Sequence, residues 1–343
     1  MITRFHIQRI LKHLLLPILF LLLIGCAGTR PRDLDIGWPP PPQQPKIVYQ
    51  DAIYGSADFP RGAWTKIKDF LFGKPDEIRI GKPYGVKEDN RARLYIADTA
   101  RKGILVIDRA SGRVTFFNSM GAYGILGEPV YVIVDTDGNL YVADTKLGKI
   151  VVFDARHRFS HFIGDGELEG PVGMAFDPME KRLYVVDTQK HQVKVFTKDG
   201  QLLQTIGRRG DGQGEFHHPL TIALSRSGDT LYIVDSFHFA VQALDKDGNF
   251  LFSFGPTAVG IGTMARPRDI AVDSDGHVYI TDAVRNNVQM YDSQGRLLLR
   301  FGSMGTGAGQ FRLPAGIHID DDDIIYISDS VNGRIQVFKY VGT

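Results

Sequence analysis

From about residue 78 onward, short runs of β-branched, aromatic and aliphatic residues alternate with breaks rich in Asp and Gly. The stretch Pro267–Phe301 shows the pattern in full. PRDIAV at Pro267–Val272 is followed by the break DSDG at Asp273–Gly276, and then by HVYIT at His277–Thr281. NVQMY at Asn287–Tyr291, a DSQG break and RLLLRF at Arg296–Phe301 complete it. Runs of this length between Asp/Gly turns predict four strands joined as hairpins. Outside these runs, Lys46–Tyr54 (KIVYQDAIY) has strand composition. Gly62–Gly73 (GAWTKIKDFLFG) places Trp64, Ile67, Phe70 and Leu71 on one face at helical spacing, which predicts a short amphipathic helix packed on the strands.

The four-strand unit recurs. LYIADT at Leu94–Thr99 returns as LYVADT, LYVVDT, LYIVDS, VYITDA and IYISDS, with aspartates at Asp98, Asp144, Asp187, Asp235, Asp282 and Asp329. A proline stands 15 or 16 residues before each of them: Pro83, Pro129, Pro171, Pro219, Pro267 and Pro314. Six four-stranded units of 43 to 48 residues predict an all-β, six-bladed β-propeller. Five units have a fourth strand, but after Phe338 only KYVGT remains. Residues 46–54 are therefore expected to supply the missing strand and close the ring, removing an exposed edge. Residues 46–343 make one domain, with the repeats at 78–340.

These units resemble NHL repeats, whose pattern runs Pro-x-Gly-Ile/Val-Ala-Val-Asp, Tyr-Val-Ala-Asp-Thr and Ile-Gln-Val-Phe. WD-repeat propellers fit less well, because Trp38 and Trp64, the only tryptophans, lie outside the repeats. The resemblance implies a six-bladed ring and a binding or scaffold role, and it brings enzymes of similar architecture into view as rivals.

The N-terminus has a different pattern. Arg4, Arg9 and Lys12 precede an 11-residue apolar run, Leu14–Ile24, which is short of the roughly 20 residues of a membrane-spanning helix. A basic flank, a short apolar core and a small residue predict an export signal over residues 1–25. Leu23-Ile24-Gly25-Cys26 resembles the lipobox of bacterial lipoproteins, which implies acylation of Cys26 and attachment to a membrane surface. In that family Ala27 after the cysteine implies an outer-membrane location facing the periplasm, the alternative being the outer leaflet of the cytoplasmic membrane. Residues 26–45 are Pro-rich, and Pro39–Pro42 predicts a stiff extended tether.

Composition narrows the chemistry. Cys26 is the only cysteine, which excludes internal disulfides, the Cys-x-x-Cys-His haem attachment motif and cysteine-rich zinc sites. The formal net charge of +1 gives no reason to expect nucleic acid. The six repeat aspartates occupy equivalent places, whereas an active site needs an asymmetric set, so they are expected to hold turn amides. Amidating lyases resemble NHL propellers but place histidines around the channel. The residues after the repeat prolines here are Tyr84, Val130, Val172, Leu220, Arg268 and Ala315, with no histidine. The next set, Gly85, Tyr131, Gly173, Thr221, Asp269 and Gly316, contains one acid, fewer than a gluconolactonase-like site needs. His217 and His218 are adjacent, and neighbours on an extended chain point apart. The expectation is therefore no catalytic residue, no metal and no cofactor. The alternative is a metal-dependent lyase or lactonase-type hydrolase with its site at the channel.

The loops after the repeat aspartates carry Arg101, Lys102, Lys146, Lys149, Lys190 and Arg285 and no acid, and the first turns of the units are acidic. Up-and-down strands put these two sets on opposite faces. Arg208 and Arg209 join the basic face on a Gly-rich loop, and Phe237 and Phe239 flank His238 there as candidate anchors. The expected partner on that face is a protein or an anionic envelope glycan. The tight turn Asp320–Asp323 leaves calcium binding open.

Overall fold

The computed structural model describes residues 36–59, 76–255 and 263–342. They form the six-bladed, all-β propeller expected, in four-stranded antiparallel blades. The expected helix at 62–73, the signal, Cys26 and the tether up to residue 35 lie outside the described residues.

The innermost strand of each blade begins at the repeat proline: Pro83–Glu88, Pro129–Val134, Pro171–Asp177, Pro219–Leu224, Pro267–Val272 and Pro314–Ile319. In every blade that proline pairs with the repeat aspartate at the end of the second strand, Pro83 with Asp98 and Pro314 with Asp329 being the first and last cases. A proline has no N–H to donate, so the first residue of a strand suits it. Successive innermost strands pack on one another around the axis. At Gly316 a Cβ would stand 2.1 Å from the carbonyl oxygen of Tyr84, so only glycine lets blade 6 approach blade 1 this closely.

The core is divided into six clusters, each between neighbouring blades. Between blades 3 and 4, for example, Tyr184, Val186, Val193 and Ile206 meet Ile222, Leu231, Ile233 and Leu244. The second strands are buried on both sides, as in Leu140–Asp144 and Val278–Asp282. That is why LYVAD is continuously apolar up to its final acid. The outermost strands, such as Leu202–Ile206 and Leu297–Phe301, alternate half-buried and exposed residues and end on a buried one. Each fully buried aliphatic or Phe side chain contributes ~1.5–3 kcal/mol, and the repetition spreads that gain evenly round the ring.

Ile47–Ile53 closes blade 6 by pairing antiparallel with Arg334–Tyr340, from Ile47↔Tyr340 to Ile53↔Ile335. A fifth strand was not anticipated. Gly37–Trp38 pairs outside Ile47–Val48, and the Lys46 amide donates to the Trp38 carbonyl at 2.7 Å. The Pro-rich stretch expected to be an extended spacer is therefore a hairpin here. Its anchor is the Trp38 indole, 5.7 Å from the ring of Phe301 and 5.9 Å from that of Phe338.

Candidate functional site

Two faces follow from the strand order. The connector face carries the blade-to-blade connections and the turns after the repeat aspartates. The turn face carries the first and third turns of each blade.

Beneath the connector face the six repeat aspartates are fully buried. Asp98 accepts from the amides of Gly81, Lys82, Ala100 and Arg101, tying the incoming connection to the second turn of its own blade. Asp144, Asp187 and Asp282 repeat this with the amide pairs Gly127/Glu128, Glu169/Gly170 and Ala265/Arg266. Asp235 accepts from the His217 amide and faces the His238 ring, and Asp329 pairs with the buried Arg334 at 2.7 Å. The hydroxyls of Thr145 and Thr188 donate to the carbonyls of Pro171 and Pro219 in the following blade.

The charge of this face differs from the sequence expectation of basic loops without acids. The connections arrive on the same side and bring Asp165, Glu167, Glu169, Asp211 and Glu215. Lys149 pairs with Asp165 at 2.9 Å, Lys190 with Glu169 at 3.5 Å and Arg208 with Glu215 at 2.7 Å. Arg101 and Arg285 lean toward Asp98 and Asp282 at 3.9 and 3.8 Å. Lys102, Lys146 and Arg209 form no ion pair among the described residues.

Exposed apolar side chains are a larger feature of this face than the sequence suggested. Of the fourteen large hydrophobic residues exposed in the described chain, eight stand on connector-face loops: Tyr123, Ile125, Phe237, Phe239, Val284, Met304, Leu313 and Val331. The turn face has two, Met179 and Val341. Six of the eight belong to consecutive blades 4 to 6 or to the connection between 5 and 6.

Four histidines also gather here. The centroids of His191, His217 and His218 lie 5.1 to 6.1 Å apart, and His238 is 5.8 Å from His217. His217 and His218 do not point apart as on an extended chain, because His218 has φ 63° and its ring stacks on Phe237 at 4.4 Å. Partial burial works against a charge on His238, but Asp211 and Asp235 outweigh it and raise its pKa. Burial lowers that of His191, and His218, Arg209 and His217 add to the effect.

The channel is closed toward this face. Tyr131 of blade 2 reaches across the axis and donates to the carboxylate of Asp269 in the opposite blade 5 at 3.0 Å. Thr221 Oγ donates to the same carboxylate at 2.8 Å, and the amides of Ile270 and Ile317 supply two more bonds. Burial raises Asp269 to about 6 against these donors. Gly85, Gly173 and Gly316 occupy the matching positions of the other three blades, and beside the strut Arg268 of blade 5 donates to the Tyr84 hydroxyl of blade 1 at 3.1 Å.

Below the strut a cavity of about 490 Å³ opens on the turn face. Its inner wall carries Val132, Met174, Ile222, Ile270 and Ile317, and its polar lining includes Lys87, His318, Arg226 and Asp321 together with Thr136, Asp177, Ser225 and Ser227. Lys87 Nζ lies 3.3 Å from His318 Nδ1. Burial lowers the Lys87 amine to about 8, and burial beside Lys87 and Arg226 holds His318 well below the usual histidine range. Sequence reading passed over both residues. They occupy the fifth position of their innermost strands, where the other blades have Ile133, Ala175, Ala223 and Ala271. Reading down that column would have singled them out. At the cavity rim the carboxylates of the Asp320–Asp323 turn diverge: Asp320 caps the turn, Asp321 pairs with Arg226, and Asp323 binds Ser274.

Comparison with known proteins agrees with this fold. A family model described as a 6-bladed beta-propeller, DUF5128, matches residues 176–252 and 266–342. No curated protein matches the chain. Among solved structures it is similar to a streptogramin B lyase, with 14% identity over 76% of this chain and 94% of that one and a TM-score of 0.59. It is also similar to virginiamycin B lyase from Staphylococcus aureus (13% identity, 76% and 95% covered, TM-score 0.56). An auxiliary nutrient binding protein from Bacteroides thetaiotaomicron aligns at 17% identity over 77% and 70% of the two chains, with a TM-score of 0.59. At these identities the likeness is one of fold.

Proposed function

We propose that the protein is a lipid-anchored, extracytoplasmic propeller of NHL type that docks a protein partner on its connector face. The observation supporting this is the concentration of exposed large apolar side chains there, with Phe237 and Phe239 53% and 48% exposed. Scattered apolar residues are normal on a protein surface, but their concentration on one face supports an interaction role for it. Aromatic anchors beside charged groups suit a protein interface. An anionic glycan is the poorer fit, because most cations of this face already have carboxylate partners. Acylated Cys26 would hold the domain at the membrane, in the outer-membrane location the residue after it implies.

The test is capture of the partner from the native envelope by the acylated protein, alongside the double variant Phe237→Asp/Phe239→Asp. Both residues are exposed, so folding stability should stay within about 0.5 kcal/mol while the specific partner is lost. Retention of the same partner by the double variant would overturn the reading.

One observation favours a second reading, a hydrolase or lyase acting in the central cavity. An amine lowered to about 8 beside a neutral histidine is a plausible base or nucleophile. Turnover of a lactone or ester that disappears in Lys87→Met would support it, and turnover unchanged in that variant would remove it.

A further inference from the structure

The connection between blades 3 and 4 and the second turn of blade 4 bring one acid and two histidines together on the connector face. One side-chain ligand atom from each of Asp211, His217 and His238 lies within 4.8 Å of the other two. Asp211 Oδ1 is 3.0 Å from His238 Nε2. The opposite ring nitrogen, His238 Nδ1, is 2.7 Å from Asp235 Oδ2. Asp235 is fully buried and held by the His217 amide, so it is a fixed acceptor that orients the ring and turns Nε2 toward Asp211 and His217. A carboxylate behind a histidine is the usual outer-shell partner of a metal-ligating imidazole. We propose that Asp211, His217 and His238 bind a divalent transition-metal ion.

The donor set decides the class of metal. Two imidazole nitrogens and one carboxylate oxygen suit zinc and its neighbours cobalt, nickel and copper, whereas calcium and magnesium prefer six or more oxygens. Ligands at the usual zinc distances of about 2.0–2.1 Å sit about 3.3 Å apart in a tetrahedron. The Asp211–His238 separation is already close to that. The third ligand needs a shift of no more than an ångström or two, as an order of magnitude from the same geometry. Asp211 is the residue placed to make the shift. Its side chain is 91% exposed, and glycines stand on both sides of it. Three protein ligands leave the fourth position to water or to a donor from outside. The bound ion would clip the Gly207–His218 connection to the turn that presents Phe237 and Phe239, ordering the part of the face richest in aromatic side chains. His191 and His218 lie beside the set, and His218 is turned against Phe237.

The experiment uses the full chain, stripped with a chelator and titrated with Co²⁺ while the visible d–d absorption is followed. The expected result is one Co²⁺ per chain in a four- or five-coordinate spectrum, displaced by Zn²⁺ and not by Ca²⁺ or Mg²⁺. His217→Ala, His238→Ala and Asp211→Asn should each weaken binding tenfold or more, whereas His218→Ala should leave it within a few-fold of the parent. Asp211→Asn changes an exposed side chain, so its effect reads binding even if a histidine variant unfolds. Substoichiometric binding, or a titration that Asp211→Asn and His238→Ala do not change, would overturn the assignment. The outcome is independent of partner docking, because no partner is present.

Discussion

On the turn face, the acid that opens a tight turn is engaged with the backbone. Asp135 accepts from the amides of Asp137 and Asn139 and from the Tyr141 hydroxyl. Asp273 does the same with His277 and Tyr279, and Asp154 caps its turn through the amides of Arg156 and Arg158. On the connector face the acids that hold the backbone are buried one layer down, under loops that carry aromatic, aliphatic and histidine side chains. The turn face is acidic because tight hairpins need caps. The connector face presents residues that no hairpin needs. A count of charges along the sequence could not tell these uses apart, and the second is the one that points to function.

The sharpest way to break the comparison is to remove an acid from beneath the connector face. Asp329→Ala leaves Arg334, only 3% exposed in its side chain, without its carboxylate. Stability should fall by about 3–5 kcal/mol, the usual result of stranding one member of a buried pair. Urea unfolding measures it, and a loss below 1 kcal/mol would mean that the carbonyls of Gly307 and Gln310 suffice for the guanidinium.

The next effect comes from the strut between the two faces. Asp269 is raised from 3.8 to about 6 by burial, so the folded protein holds this proton more tightly than the unfolded chain does. Its contribution to stability is complete below about pH 4 and is lost as pH rises to about 6. Relative to Asp269→Asn, the parent should lose about 2–3 kcal/mol across that window, the worth of roughly two pKa units. Parallel stability curves for the two proteins would show that burial does not raise Asp269 above its unfolded value.

The smallest effect is expected on the turn face. Asp154 is lowered to about 2 by the Arg158 amide and guanidinium, with the Arg156 amide contributing. Its contribution is present at neutral pH and is lost as pH falls from about 4 toward 2. Asp154→Ala should cost no more than about 0.5–1 kcal/mol at pH 7, as for one net hydrogen-bonded cap at a partly exposed site. A cost equal to that of Asp329→Ala would erase the distinction between the faces.

The repeats made the blades readable, because six copies turn a weak strand signal into a register, and the absence of a fourth strand after Phe338 pointed to residues 46–54. Trp38 was not readable as part of the sheet, since a two-residue strand has no periodicity and its Pro-rich neighbourhood suggested a spacer. Lys87 and His318 are 231 residues apart and share no motif. Only ring closure makes their strands neighbours. The Asp211–His217–His238 set needed a fact that local sequence does not carry: the return of a Gly-rich connection over the next blade's turn. The lysines and arginines lie where expected, and their partners arrived from connections that had been left out of the count.

The pairing of Ile47 with Tyr340 has a consequence for chain topology. The beginning and end of the domain are neighbours in one sheet, so the polypeptide traces a circle that lacks one covalent bond. A short linker joining them and a cut in any exposed blade-to-blade connection would give a permuted chain with the same register in every blade. Blade 6 is then last only by accident of where the gene opens the circle. What distinguishes one sector of the wheel from another is the side chains its loops carry, and evolution can relocate the opening without disturbing them.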